Sequence, residues 1–217
     1  QLLAQHPPLP DSYPIVGEAR AVAACLGAPP PVLARGKGRE AILLQTEPRA
    51  LVIGQDLLTD AGRPIALFHA AYACTRIAAH GSIYTLPREQ LRALLDAVLP
   101  TDVESPLVRD LRKRISSVLP RKNKKELERV VSQATQDPRP ELPTWEAEEG
   151  RRSLHAAVIF SRDLRAIAQV LAPEVPTSLE PNERRAALSK NPAMREILEF
   201  CVSPLCWDVF RRVYGRS

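Results

Sequence analysis

Most of this chain alternates apolar and polar positions with a recognisable period, but one stretch has no polar side. From Arg63 to Gly81 it reads RPIALFHAAYACTRIAAHG, and small or apolar residues occupy nearly every position. A helix apolar all round belongs inside a domain, covered on every side. Pro64 falls in the first turn, where a missing N–H is harmless, and Gly81 stands where a left-handed cap would close it. The stretch is too short, and too interrupted by His69, Arg76 and His80, to span a bilayer. It predicts a buried central helix, with His69 as its most informative residue.

The segments around it have clearer periods. Ile15 to Leu26 has helical spacing and is stopped by Gly27 and the prolines at 29 to 31. Glu40 to Thr46 (EAILLQT) and Ala50 to Ile53 (ALVI) are branched runs separated by Glu47, Pro48 and Arg49, a spacing that predicts a β-hairpin. Pro87 to Val98 is amphipathic through Leu91, Leu94, Leu95 and Val98. Thr101 to Val118 turns Leu107, Leu111, Ile115 and Val118 inward, and Lys122 to Gln136 makes a more polar helix. After prolines 138, 140 and 143, a long helix is expected from Trp145 to Leu171. Three short ones come next, at 181 to 189, 192 to 201 and 204 to 213. Residues 1 to 14 are proline-rich and read as an extended arm or linker. The expected fold class is α+β and predominantly helical, with a small antiparallel hairpin sheet packed on the buried helix. Residues 15 to 217 are expected to form one domain.

Composition changes this picture little. The hydrophobic fraction of 45% is ordinary for a globular protein, and aromatics are scarce at 5%. The net charge of +5 favours solubility without naming a partner. Four cysteines (Cys25, Cys74, Cys201, Cys206) lie without a CxxC pair, which suggests a reducing compartment and a cytoplasmic location. The first residue is Gln1 rather than Met, so the chain is expected to be a piece of a longer protein. No signal peptide or membrane run is visible. Neither is a G-x-S-x-G elbow, a P-loop or a G-x-G-x-x-G. Pairing of Cys74 with His69 as nucleophile and base is opposed by their five-residue offset, about 140° around a helix.

The order of elements carries a resemblance. A hairpin, a GQDLL entry at 54 to 58, a buried helix and a later long helix resemble the layout of gluzincin zinc peptidases of the CAAX-prenyl-protease and HtpX-like branch. In that family the buried helix carries HExxH, with two histidines for zinc and a glutamate for its water. Laid on that pattern, His69 stands at the first histidine, Ala70 replaces the general base and Ala73 the second ligand. Gly150 falls at the glutamate of the second helix, with Glu148 and Glu149 out of register. The chain also resembles degenerate members of this domain found beside tetratricopeptide repeats in bacterial proteins.

The resemblance implies a zincin-like body without catalytic residues, metal or cofactor, in which His69 is a core relic hydrogen-bonded to backbone. It also implies a groove for a partner peptide added to a sheet edge. That edge is expected at Ala50, Leu51, Val52 and Ile53, or at Glu40 to Thr46. Weaker alternatives are a metal held by His69 with His80 or His155, and a hydrolase with a rebuilt site. A separate signal is basic: Arg109 to Arg129 holds nine Lys or Arg against three acids. There Arg112, Lys113, Arg114, Arg121, Lys122, Lys124 and Lys125 offer a patch for nucleic acid or an anionic surface. No aromatic residues interleave with it to stack bases.

Overall fold

A computed structural model describes residues 5–44, 46, 48–79, 87–134 and 142–215. In chain order the elements are α1 (Pro14–Cys25), β1 (Val32–Gly36), β2 (Ala41–Leu44), β3 (Ala50–Gly54), a single 3-10 turn (Gln55–Leu58) and α2 (Arg63–Ala78). Beyond these lie α3 (Arg88–Val98), α4 (Pro106–Val118), α5 (Arg121–Ala134), α6 (Leu142–Ser161), α7 (Leu164–Leu171), α8 (Pro181–Lys190), α9 (Pro192–Cys201) and α10 (Pro204–Tyr214). The chain divides into two compact units. The first comprises Gln1–Gly81 with Glu149–Ser217, and the second Ser82–Glu148.

In the first unit α2 lies between two apolar cores, which is why its sequence lacks a polar side. Ile65, Ala66, Ala70 and Ala73 join Ile15, Val16, Ala19, Leu33, Leu51, Ile53 and Leu57 in one cluster. Phe68, Ala71 and Cys74 join Val22, Ala157, Ile159, Ile167, Met194, Ile197 and Phe200 in the other. Small residues on α1 and α2 permit close approach of the two helices, and alanines at 19, 23, 66, 70 and 71 are almost wholly buried.

The sheet is mixed rather than purely antiparallel. Its order is β1-β3-β2, with β3 parallel to β1 and antiparallel to β2. The expected hairpin is therefore present, and a third strand stands beside it. This corrects the expectation that Ala50, Leu51, Val52 and Ile53 form an edge: they pair on both sides and are buried throughout. The outer strands are β1 and β2. The β1 edge is taken up by the N-terminal segment, which is docked rather than loose. Leu9 N–H donates to Leu33 O at 2.8 Å, Arg35 N–H donates to Pro7 O at 2.8 Å, and Pro8 bridges Ala34. Pro8, lacking an N–H, suits an outermost strand, and Leu9 anchors the segment by burying its side chain.

The expected long helix at 145 to 171 is broken into α6 and α7. Arg162 turns to a φ of 53°, and Asp163 accepts hydrogen bonds from Arg165 N–H and Ala166 N–H as the cap of α7. The Arg162 guanidinium lies 4.7 Å from the centre of the Tyr214 ring, whose hydroxyl donates to Ile159 O at 3.1 Å. Those contacts hold the corner in a conformation unusual for a residue with a Cβ.

In the second unit α3 and α4 pack together, with Leu91 and Val108 fully buried. Ser105 caps α4 by accepting from Val108 N–H. The inward face of α4 is thus set by Val108, whereas Leu107 and Val118, expected inside, are exposed. Among the described residues no helix is long and apolar enough to cross a membrane.

Candidate functional site

A cleft of about 950 Å3 opens along β2 in the first unit, and all its walls belong to that unit. Arg39 to Ile42 form one wall, Leu57, Ile65 and His69 the floor, and Ala168 to Val170 of α7 with residues 172, 173 and 175 to 177 the opposite wall. Arg184 and Leu188 of α8 close one side. Its size is that of a site for a peptide segment or small ligand. The lining mixes apolar and polar surface in nearly equal parts, and among the described residues its ionisable groups are Arg39, Glu40, His69 and Arg184.

The free edge of β2 runs beside this cleft. Gly54 N–H donates to Glu40 O at 2.7 Å, and Asp56 N–H donates to Gly38 O at 3.1 Å. In an antiparallel ladder, residues alternate between pointing their backbone groups inward and outward. Glu40, Ile42 and Leu44 therefore bond to β3, while Ala41 and Leu43 turn N–H and C=O away from it. No partner for those outward groups occurs among the described residues. Ile42 is half exposed, at 50%.

His69 sits one turn after Ile65 on α2 and is half-buried at the cleft floor. It makes no hydrogen bond among the described residues, so the expected backbone partner is missing. Burial lowers its pKa below the ordinary 6.5. The neutral imidazole is thus the form the fold favours, and its contribution to stability is present above pH 6.5 and lost as pH falls through the folded value. His155 on α6 behaves alike, because burial outweighs its 3.0 Å contact with Glu196. Thermal denaturation from pH 8 to pH 5 is expected to show Tm falling below about pH 6.5, and His69→Gln to flatten part of that decline.

Comparison with protein-family models, curated proteins and solved structures returns no match.

The positions assigned from the zinc-peptidase pattern do not converge. Ala70 and Ala73 are 0% and 2% exposed, pack in the apolar cluster with Leu57 and Ile65, and are not among the residues that line the cleft. Gly150, on α6, is not among the cleft residues, since the wall opposite His69 comes from α7 and the segment after it. Glu149 is buried and holds Arg152 at 2.8 Å, and Glu148 is exposed. His155 stacks on Phe200, ring centres 3.8 Å apart, and does not join His69 at the cleft. His80 lies outside the described residues. Among the described residues no group of three or more His, Cys, Asp or Glu is placed to hold a metal ion.

Cys74 is no partner for His69 either. It is fully buried, its thiol is pushed up to about 12 by burial, and its Sγ lies 3.9 Å from Ala19 O. A neutral, inaccessible thiol is a poor nucleophile.

The basic residues lie in the second unit and are partly committed to structure. Arg112 donates to Asp96 O at 3.0 Å and Thr101 O at 3.3 Å, and Arg114 pairs with Asp110 at 2.8 Å. Lys113, Arg121, Lys122, Lys124 and Lys125 have no ion pair among the described residues, and all but the half-buried Lys124 are exposed. Sequence reasoning reached the β2 side of the cleft and His69. It missed the far wall, although the proline-punctuated run from Pro173 to Pro181 marks a shaped loop between helices.

Proposed function

We propose that the first unit is a non-catalytic binding module that accepts an extended segment of a protein partner by strand addition to β2. The observation that carries this is the coincidence of β2's unpaired outward edge with the cleft floored by His69. Backbone pairing supplies affinity that is independent of sequence, and the cleft receives alternate side chains. In this reading the gluzincin resemblance describes a body whose groove outlived its chemistry, inside a larger cytoplasmic protein of the bacterial, repeat-containing kind. The absence of CxxC pairs and the four free thiols support a reducing compartment. In the family pattern Ala70 and Ala73 stand in place of the base and the second ligand, and neither side chain can bind metal or move a proton, which speaks against a peptidase of that type.

Ala41→Pro tests the proposal. Proline removes an N–H that points away from β3 and is tolerated on an edge strand. The expected result is a ten-fold or greater loss of affinity for a peptide selected from a random display library, about 1.4 kcal/mol, with unchanged thermal unfolding. Undiminished binding by this variant contradicts strand addition at β2.

A further inference from the structure

The cleft has an unmatched charge. Arg184 lines it from α8, and its Nε is shielded from water with no hydrogen-bond partner among the described residues. Its guanidinium has no ion pair among the described residues. Arg39, at the β2 wall, is exposed and likewise without an ion pair among them. Glu40 is the one carboxylate of the lining, and it does not reach within ion-pair distance of either arginine. Leu57, Ile65, Val170, Val175 and Leu188 give the same cleft apolar surface, and its other polar side chains, Gln169 and Thr177, are uncharged. A cationic N–H held out of water without an acceptor is costly, and a planar guanidinium fork is matched best by a carboxylate.

We infer that the segment bound along β2 carries an Asp or Glu side chain seated on Arg184, with apolar residues two positions before and after it. This rests on the strand-addition reading and adds the chemistry of the occupant. Along an added strand, alternate side chains fall on one face. An acidic residue with apolar residues two positions to either side therefore meets Arg184 while those flanking side chains, on the same face, occupy the leucine and valine walls. His69, neutral and without a hydrogen bond among the described residues, lies on the same floor to bond a polar group of the peptide.

The test uses the full chain and fluorescein-labelled, N-acetylated hexapeptide pools of Val and Leu, with one central position fixed as Glu, Gln or Lys and the C-terminus amidated. A fourth pool carries Gln and a free C-terminal carboxylate. Fluorescence polarisation is expected to give the Glu pool at least ten-fold tighter binding than the Gln pool, with the Lys pool weakest. Arg184→Gln is expected to bring the Glu pool down to the Gln level without changing the Gln pool. Arg184→Lys, which keeps the charge but not the fork, is expected to retain part of the preference. Equal binding of Glu and Gln pools, both weakened by Ala41→Pro, overturns the acidic seat and leaves strand addition standing. Preference for the free C-terminus alone also overturns it, in favour of a chain end. If no pool binds, both readings fall. Should Arg184→Gln not fold, the Glu-to-Gln ratio on the unaltered chain decides the matter by itself.

Discussion

Ile53→Ala lowers the unfolding free energy of the first unit by about 2–5 kcal/mol, read from urea denaturation followed by circular dichroism. Ile53 is 0% exposed and sits on the central strand, within the cluster that also holds Leu33, Leu51, Leu57 and Ile65. Its loss removes several methyl groups from a site fixed on both sides by the sheet ladder, so the walls have little freedom to collapse. The adjacent Gly54→Ala is expected to be as damaging through the opposite cause. A Cβ there would meet Gly38 C at 2.7 Å and Glu40 O at 2.9 Å, besides Gly38 O, and all three are backbone atoms. Backbone on a paired strand has no rotamer with which to retreat, so the β2–β3 ladder must part. An effect below about 0.5 kcal/mol in either variant contradicts the described packing of β3.

Restoring the zinc-peptidase residues is expected to destroy the fold rather than rebuild an enzyme. Ala70→Glu places a carboxylate at a fully buried position facing the sheet core, and Ala73→His puts an imidazole where exposure is 2%. An uncompensated buried charge costs about 3–5 kcal/mol, and overpacking adds about 1–3 kcal/mol at each site. Their sum approaches the whole stability of a typical domain, about 5–15 kcal/mol. The double variant is expected to lose its cooperative melt and to carry no stoichiometric zinc by elemental analysis. A folded double variant that binds one zinc would show that the face of α2 beside His69 is open to ligands, against the burial of Ala70 and Ala73.

What the sequence made legible was local. The central helix could be read because α2 has no polar side and Pro64 marks its start; both reflect its place between two cores. The β2–β3 hairpin was legible for a similar reason, since two branched runs flank a short polar gap. Strand order was not. It depends on β1, five residues long with Arg35 and Gly36 at its end, which pairs in parallel with a strand on the far side of β2 in sequence and leaves no periodic trace. Without β1 either strand of the hairpin could serve as the edge, so Ala50 to Ile53 and Glu40 to Thr46 stood as equal candidates, and only the second, which holds β2, is an edge.

The same limit applied to the site. His69 stood out as a polar residue in an apolar helix, and the structure places it at a cleft. Its far wall comes from α7 and α8, more than ninety residues away in sequence, and no spacing connects them. The break before α7 was written in Asp163, a strong capping residue, but the apolar run before it has the period of one continuous helix. Gly150 was matched to a ligand position by a motif register that assumed this continuous helix opposite His69. The cleft is built instead from α7, the loop beyond it and α8.

Amide hydrogen exchange along β2 tests the central claim most directly. In the 15N-labelled chain, a saturating library-selected hexapeptide is expected to slow exchange at Ala41 and Leu43 by ten-fold or more. Ile42, already bonded to β3, should change little, and the peptide should be recovered uncut. A peptide that binds while Ala41 and Leu43 exchange at their original rates would contradict strand addition at this edge.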